Sequence, residues 1–115
     1  MPGRLTTHVL DTARGRPAAG MGIELFKIEV EERNLLKTVR TNSDGRVDEP
    51  LLGDEELSCG VYEVIFHVGA YFADTGGSPT FLGEVPVRFG VSDAEAHYHV
   101  PLLVSPWSYT TYRGS

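Results

Sequence analysis

Four histidines, and an arginine that follows a tight turn, are the residues of this chain best suited to chemistry. Histidine titrates near neutral pH and can give or take a proton there. His97 and His99 stand two apart in the alternating run His97–Val104. Side chains at i and i+2 on a strand point the same way, so both imidazoles share a face. That spacing admits two ligands on one metal, a functional acid–base pair, or surface histidines on a solvated face. No aspartate or glutamate at convincing spacing accompanies the pair. His8 lies within Leu5–Leu10, with Thr6 and Leu10 on its face and Thr7 and Val9 on the other. His67 ends another run and reads as a surface or satisfied core residue. Arg46 follows Asn42-Ser43-Asp44-Gly45 directly. An arginine at a turn exit is commonly just solvated, yet its planar fork suits an anionic, carbonyl-rich small molecule. The ending Tyr112-Arg113-Gly114-Ser115 joins an aromatic and an arginine to a strong β run, which points to a docked end rather than a frayed one. Cys59 stands alone, which excludes an intramolecular disulfide and a Cys-rich zinc site. It reads as a small buried or loop thiol. Glu31-Glu32 and Glu55-Glu56 read as solvated turns. The chain has no Gly-rich phosphate loop, no Gly-x-Ser-x-Gly elbow and no His-Glu-x-x-His.

The elements that must hold these side chains are short and alternate with period two. Turn residues recur at close intervals, from Gly15 and Pro17 through Asn42–Gly45 to Gly76-Gly77, Gly83 and Gly90. Such punctuation predicts an all-β sandwich or barrel. The expected strands are Leu5–Leu10, Ile23–Val30, Leu35–Thr41, a short Arg46–Asp48, Val61–Val68, Glu84–Val91, His97–Val104 and Trp107–Arg113. Ala70–Thr75 is a short helix or a loop. The apolar parity of the second strand changes near Leu25-Phe26, which predicts a bulge or a strand covered on both faces. Pro86 lacks a backbone donor, so Glu84–Val91 is expected to be an edge strand or to be unpaired there. Pro101 and Leu103 oppose Val100 and Leu102, and the last strand carries Trp107, Tyr109 and Tyr112. A second apolar face calls for a partner surface, so a homo-oligomer is expected.

The length of 115 residues suits one domain, spanning 1–115. Sixteen acidic against ten basic residues leave a net charge of −6, which argues against nucleic acid and against a polybasic membrane contact. No apolar run reaches the ~18 residues of a membrane-spanning helix. Met1–Leu5 lacks the apolar stretch of a secretory signal, so a cytoplasmic location is expected.

Three segments together resemble the 5-hydroxyisourate hydrolases, the enzyme branch of the transthyretin-like proteins. They are Leu5–Asp11 followed by Gly15-Arg16-Pro17-Ala18, then Thr41–Arg46, then His97–Pro106 running into Tyr109–Ser115. The resemblance spans the chain in order, and Tyr112-Arg113-Gly114-Ser115 is its most specific part. It implies an eight-stranded two-sheet sandwich with one short helix, assembled as a homotetramer with active sites at the dimer–dimer interface. It implies catalytic roles for His8, Arg46, His99 and Ser115, and substrate contacts for Tyr112, Arg113, Gly114 and His97. Leu82-Gly83 departs from the aromatic and proline of many members, far from these motifs. The implied reaction opens the ring of 5-hydroxyisourate to 2-oxo-4-hydroxy-4-carboxy-5-ureidoimidazoline in urate breakdown, without cofactor or metal. The alternatives are a transthyretin-like carrier holding an aromatic small molecule in the channel without turnover, and a plain structural module. The charged and imidazole side chains favour the hydrolase.

Overall fold

Alternation in the sequence becomes eight strands and one short helix in the computed structural model, which describes residues 3–53, 55–73 and 79–115. The strands are β1 (Arg4–Asp11), β2 (Arg16–Pro17), β3 (Gly22–Ile28), β4 (Arg33–Arg40), β5 (Gly60–His67), β6 (Glu84–Val91), β7 (His97–Val104) and β8 (Tyr109–Thr111). Helix α1 (Val68–Phe72) follows β5 without a break. Two four-stranded sheets result, in the orders β2-β1-β7-β8 and β4-β3-β5-β6. Every ladder is antiparallel except β1–β7, which runs parallel with Thr6 opposite His99 and His8 opposite Pro101.

One face of each sheet supplies the core. Leu5, Val9, Tyr98, Val100, Leu102 and Val104 come from the first, and Ile23, Leu25, Tyr62, Val64, Phe66, Val85 and Val91 from the second. The period-two pattern forces the intervening residues of β1 and β7 outward, and that is how Thr6, His8, His97 and His99 come to share the outer face of one sheet. Among the described residues no helix is long and apolar enough to cross a membrane.

The structure departs from the sequence expectations in four places. Arg46–Asp48 is not a strand. Asn42 Oδ1 accepts from the backbone N–H groups of Asp44 and Arg46, and the Asn42 N–H donates to Arg46 O, so the turn satisfies its own backbone without a ladder. The eighth strand is instead the two-residue β2, paired with the end of β1. The irregularity expected near Leu25-Phe26 is present there, but the extra residue lies in the partner strand. Leu25 pairs with Lys37 and Phe26 with Leu35, leaving Leu36 as the extra residue on β4, while β3 keeps unbroken register with β5. Phe26 is covered by the Arg33 guanidinium 3.9 Å above its ring, which explains its apolar outward position. The helix starts at Val68, earlier than expected, because that buried side chain carries the apolar face of β5 straight into it. Asp74 and Thr75, like the Gly76-Gly77 turn, lie outside the described residues. Finally, β8 is only three residues long. Arg113 stacks over the Tyr98 ring at 4.2 Å and draws the chain off the ladder, and pairing resumes as a single bridge between Gly114 and His99. Pro86 sits on β6 at a sheet edge, as its missing donor requires.

Candidate active site

The parallel β1–β7 pair brings together side chains that are about ninety residues apart in sequence. Thr6 Oγ1 lies 2.7 Å from His97 Nε2 and 2.8 Å from His99 Nδ1. His8 follows two residues along β1 on the same face. Its Nε2 is 2.9 Å from the carbonyl oxygen of Asp44, and a carbonyl only accepts, so His8 carries its proton on Nε2 and leaves Nδ1 open when neutral.

The Asn42–Gly45 turn reaches β1 because Gly45 has no side chain. Its φ is +75°, and a Cβ there would collide with the carbonyl oxygen of Val9. The Val9 N–H donates to Gly45 O at 2.8 Å and locks the turn over the strand. Arg46 leaves this turn exposed and lines a small cleft of about 140 Å³ together with Thr6 and Asp48. The tail closes the other side. Gly114 N–H donates to His99 O at 2.8 Å, and a Cβ on Gly114 would lie 2.5 Å from His99 Cδ2. Ser115 follows directly and is exposed.

His99 is held below the ordinary histidine pKa, first by burial and then by the charges of Arg46, His97 and His8. His97 is lowered too, by burial and then by Arg4. Both effects disfavour the imidazolium, and His99 Nδ1 is tied to Thr6. No described residue hydrogen-bonds its Nε2. A neutral imidazole with one free nitrogen, beside an arginine, can take a proton from water while the guanidinium holds an anion.

The chain matches the model of the HIUase/Transthyretin family over residues 5–114. The chain belongs to this family. A 5-hydroxyisourate hydrolase of Ralstonia nicotianae is 61% identical over 98% of this chain and 99% of its own length. The 5-hydroxyisourate hydrolase 2 of Rhizobium meliloti is 58% identical over 98% of this chain and 97% of its own. Among solved structures, the Klebsiella pneumoniae 5-hydroxyisourate hydrolase superposes with a TM-score of 0.81 at 31% identity, covering 97% of this chain and 99% of that one. An (S)-allantoin synthase gives 0.90 at 46% identity over 99% of this chain, which spans 44% of that longer protein.

The resemblance read from the three segments is therefore borne out, and so is the eight-stranded sandwich of the HIUase/Transthyretin family. Of the site residues expected from sequence, the structure gathers His8, Arg46, His97, His99 and Gly114 around one outer face. Tyr112 and Arg113 sit elsewhere in the chain's own surface. They line a cleft of about 330 Å³ with Arg88, Phe89 and Tyr98, between the edge of β6 and the tail. Sequence reasoning missed Thr6 as a partner of both histidines. Its parity with His8 was visible, but the parallel register that sets it opposite His99 was not. His67 is satisfied rather than free. It points Nε2 at Glu24 (2.7 Å) and Nδ1 at Glu84 (3.5 Å). These three side chains could offer ligand atoms within 4.8 Å of one another. The contacts of His67 with the two carboxylates join β3, β5 and β6.

Proposed function

We propose that the chain, as a single domain, hydrolyses 5-hydroxyisourate to 2-oxo-4-hydroxy-4-carboxy-5-ureidoimidazoline in urate breakdown. The observation that carries this reading is the placement of His99, tied at Nδ1 to Thr6 and without a described partner at Nε2, on the face that also carries His8, with Arg46 close by. The names of the relatives supply the substrate.

Ring opening needs a water oxygen to attack an amide-like ring carbonyl. His99 Nε2 takes a proton from that water as the new C–O bond forms. The carbonyl electron pair moves onto oxygen, and Arg46 stabilises the resulting negative charge. The intermediate then collapses, the ring C–N bond breaks, and the proton passes from His99 to the departing nitrogen. His8, its Nε2–H fixed on Asp44, offers Nδ1 to orient the water. Ser115 stands one residue beyond the bridge to His99 and orients water or imidazole through its hydroxyl. Gly114 lets the tail lie against the ring. Tyr112 and Arg113 face the substrate in an assembly of four copies, in which a neighbouring chain completes the pocket at the dimer–dimer interface. The exposed aromatic side chains of Trp107, Tyr109 and Tyr112 support that assembly. The proposed place of work is the cytoplasm, where cell fractionation should find the protein.

The test is a coupled absorbance assay. Urate oxidase generates 5-hydroxyisourate, and its decay is followed with and without this protein. Acceleration that His99→Ala removes, with the fold intact by circular dichroism, supports the reading. Unchanged decay beside a well-folded protein would overturn it in favour of a carrier.

A further inference from the structure

The hydroxyl of Thr6 contacts both histidines of β7, at 2.7 Å to His97 Nε2 and 2.8 Å to His99 Nδ1. A hydroxyl has one proton to donate. It also has two acceptor lone pairs, so it can donate to one ring and accept from the other, or accept from both. Three proton arrangements satisfy this. In the first, His99 carries its proton on Nδ1 and donates to Thr6, and Thr6 donates to the bare Nε2 of His97. The free Nε2 of His99 is then a lone pair. In the second, His97 Nε2–H donates to Thr6, and Thr6 donates to His99 Nδ1. The proton of His99 then sits on Nε2, and the ring has no lone pair left for water. In the third, both rings donate to Thr6, and His99 again carries Nδ1–H with a lone pair on Nε2.

The geometry points to Thr6 as a positioning residue that fixes the tautomer of His99 by accepting from its Nδ1–H. This rests on the reading of His99 as the base, and it gives that reading its proton inventory. The arrangements in which Thr6 accepts from His99 Nδ1–H leave a base, and the second does not. They also need no rearrangement during turnover, because the imidazolium formed by protonation at Nε2 keeps the same Nδ1–H bond to Thr6.

A neutral His97 can accept the Thr6 proton, whereas a protonated one donates to Thr6, so the state of His97 shifts the balance among the arrangements. The charged and titratable groups acting on the two rings are Arg4 and His8 from β1, Arg46 from the turn, and the rings themselves; the tail contributes Gly114, which is uncharged. Burial and Arg4 both favour neutral His97.

Thr6→Val keeps the shape of the side chain and removes the hydroxyl, and Thr6→Ser keeps the hydroxyl. Nitrogen-15 spectra of the histidine rings should show the Nδ1–H tautomer for His99 in the unmodified protein and in Thr6→Ser, and a shift towards Nε2–H in Thr6→Val. In the coupled assay Thr6→Val should lower kcat by about 10- to 100-fold with KM nearly unchanged, part of the roughly 10²–10⁴ that positioned acid–base groups supply. Thr6→Ser should recover most of that loss. A wild-type His99 in the Nε2–H form, or a Thr6→Val enzyme with full kcat, would overturn the inference. His99→Ala separates the two levels. If it is inactive while Thr6→Val is fully active, only the role of Thr6 is wrong. If it is fully active, the base assignment fails first and the role of Thr6 fails with it.

Discussion

At the residue scale, Gly114 is the position where the smallest change should matter most. A Cβ there would sit 2.5 Å from His99 Cδ2, a contact that forces the imidazole to move. The backbone of Gly114 is not in the left-handed region, so alanine costs little conformationally and acts on the ring alone. Gly114→Ala should lower kcat/KM by about tenfold or more, because displacements near 1 Å at a reacting group are costly. Unfolding stability should stay within about 1 kcal/mol, as is usual for a site near the surface. Kinetics and thermal melts on the same preparation check both halves. As the proposed base, His99 should also set the pH profile. A base works when neutral, and burial with Arg46, His97 and His8 lowers its pKa from the ordinary histidine value. Activity should hold as pH falls through about 6.5 and drop only below it, along an acid limb in log(kcat/KM). An acid limb centred above that value would contradict the assignment. The histidines and Arg46 were legible as types and parities. Thr6 was legible only as a neighbour of His8, since nothing in a strand's own sequence reveals what lies across a parallel ladder.

At the element scale, the site depends on how the end of β1 is anchored. Asp11 is fully buried there and accepts from the backbone N–H groups of Ala13 and Arg14, from the Arg14 guanidinium and from the Tyr71 hydroxyl of α1. Burial pushes its pKa up, but the hydrogen bonds from Arg14 and Tyr71 outweigh this and hold it below the usual carboxylate value. A carboxylate with a depressed folded pKa stabilises the protein above its unfolded value of about 3.9, and that contribution is lost as pH falls through the folded value. Asp11→Asn turns an amide N–H₂ towards groups that donate, and should cost about 1–3 kcal/mol near neutral pH. The difference from wild type should shrink towards acid pH, which urea titrations at several pH values would reveal. A constant difference down to pH 3 would argue against the anchor. The same residues explain why the short helix was misplaced by two positions in sequence. Val68 and Tyr71 are fixed by contacts to the core and to Asp11, neither of which is local.

At the scale of the whole molecule, β6 and β8 are the edges on one side of the two sheets, and neither edge strand has a second partner among the described residues. Unpaired edges invite pairing with another copy. Trp107, Tyr109 and Tyr112 stand 71%, 42% and 56% exposed around β8, more aromatic surface than a lone chain needs to show water. Light scattering should give four times the 12.6 kDa chain mass, and Tyr109→Arg should shift the population to smaller species with loss of activity. A single-chain mass for the active protein would remove the interface from the site. The sequence by itself determined the strand alternation, the outward parity of His8, His97 and His99, the Asp44-Gly45 turn before Arg46 and the docked tail, because each follows from local periodicity or backbone chemistry. Tertiary structure alone decided three things. It joined β1 to β7 in parallel with Thr6 against His99, put the bulge in β4 rather than β3, and replaced a strand at Arg46–Asp48 with a turn sealed by Asn42. The first two rest on ladders between separate strands, and the third on the hydrogen bonds of Asn42 to Asp44 and Arg46, with Gly45 O taking the Val9 N–H of β1.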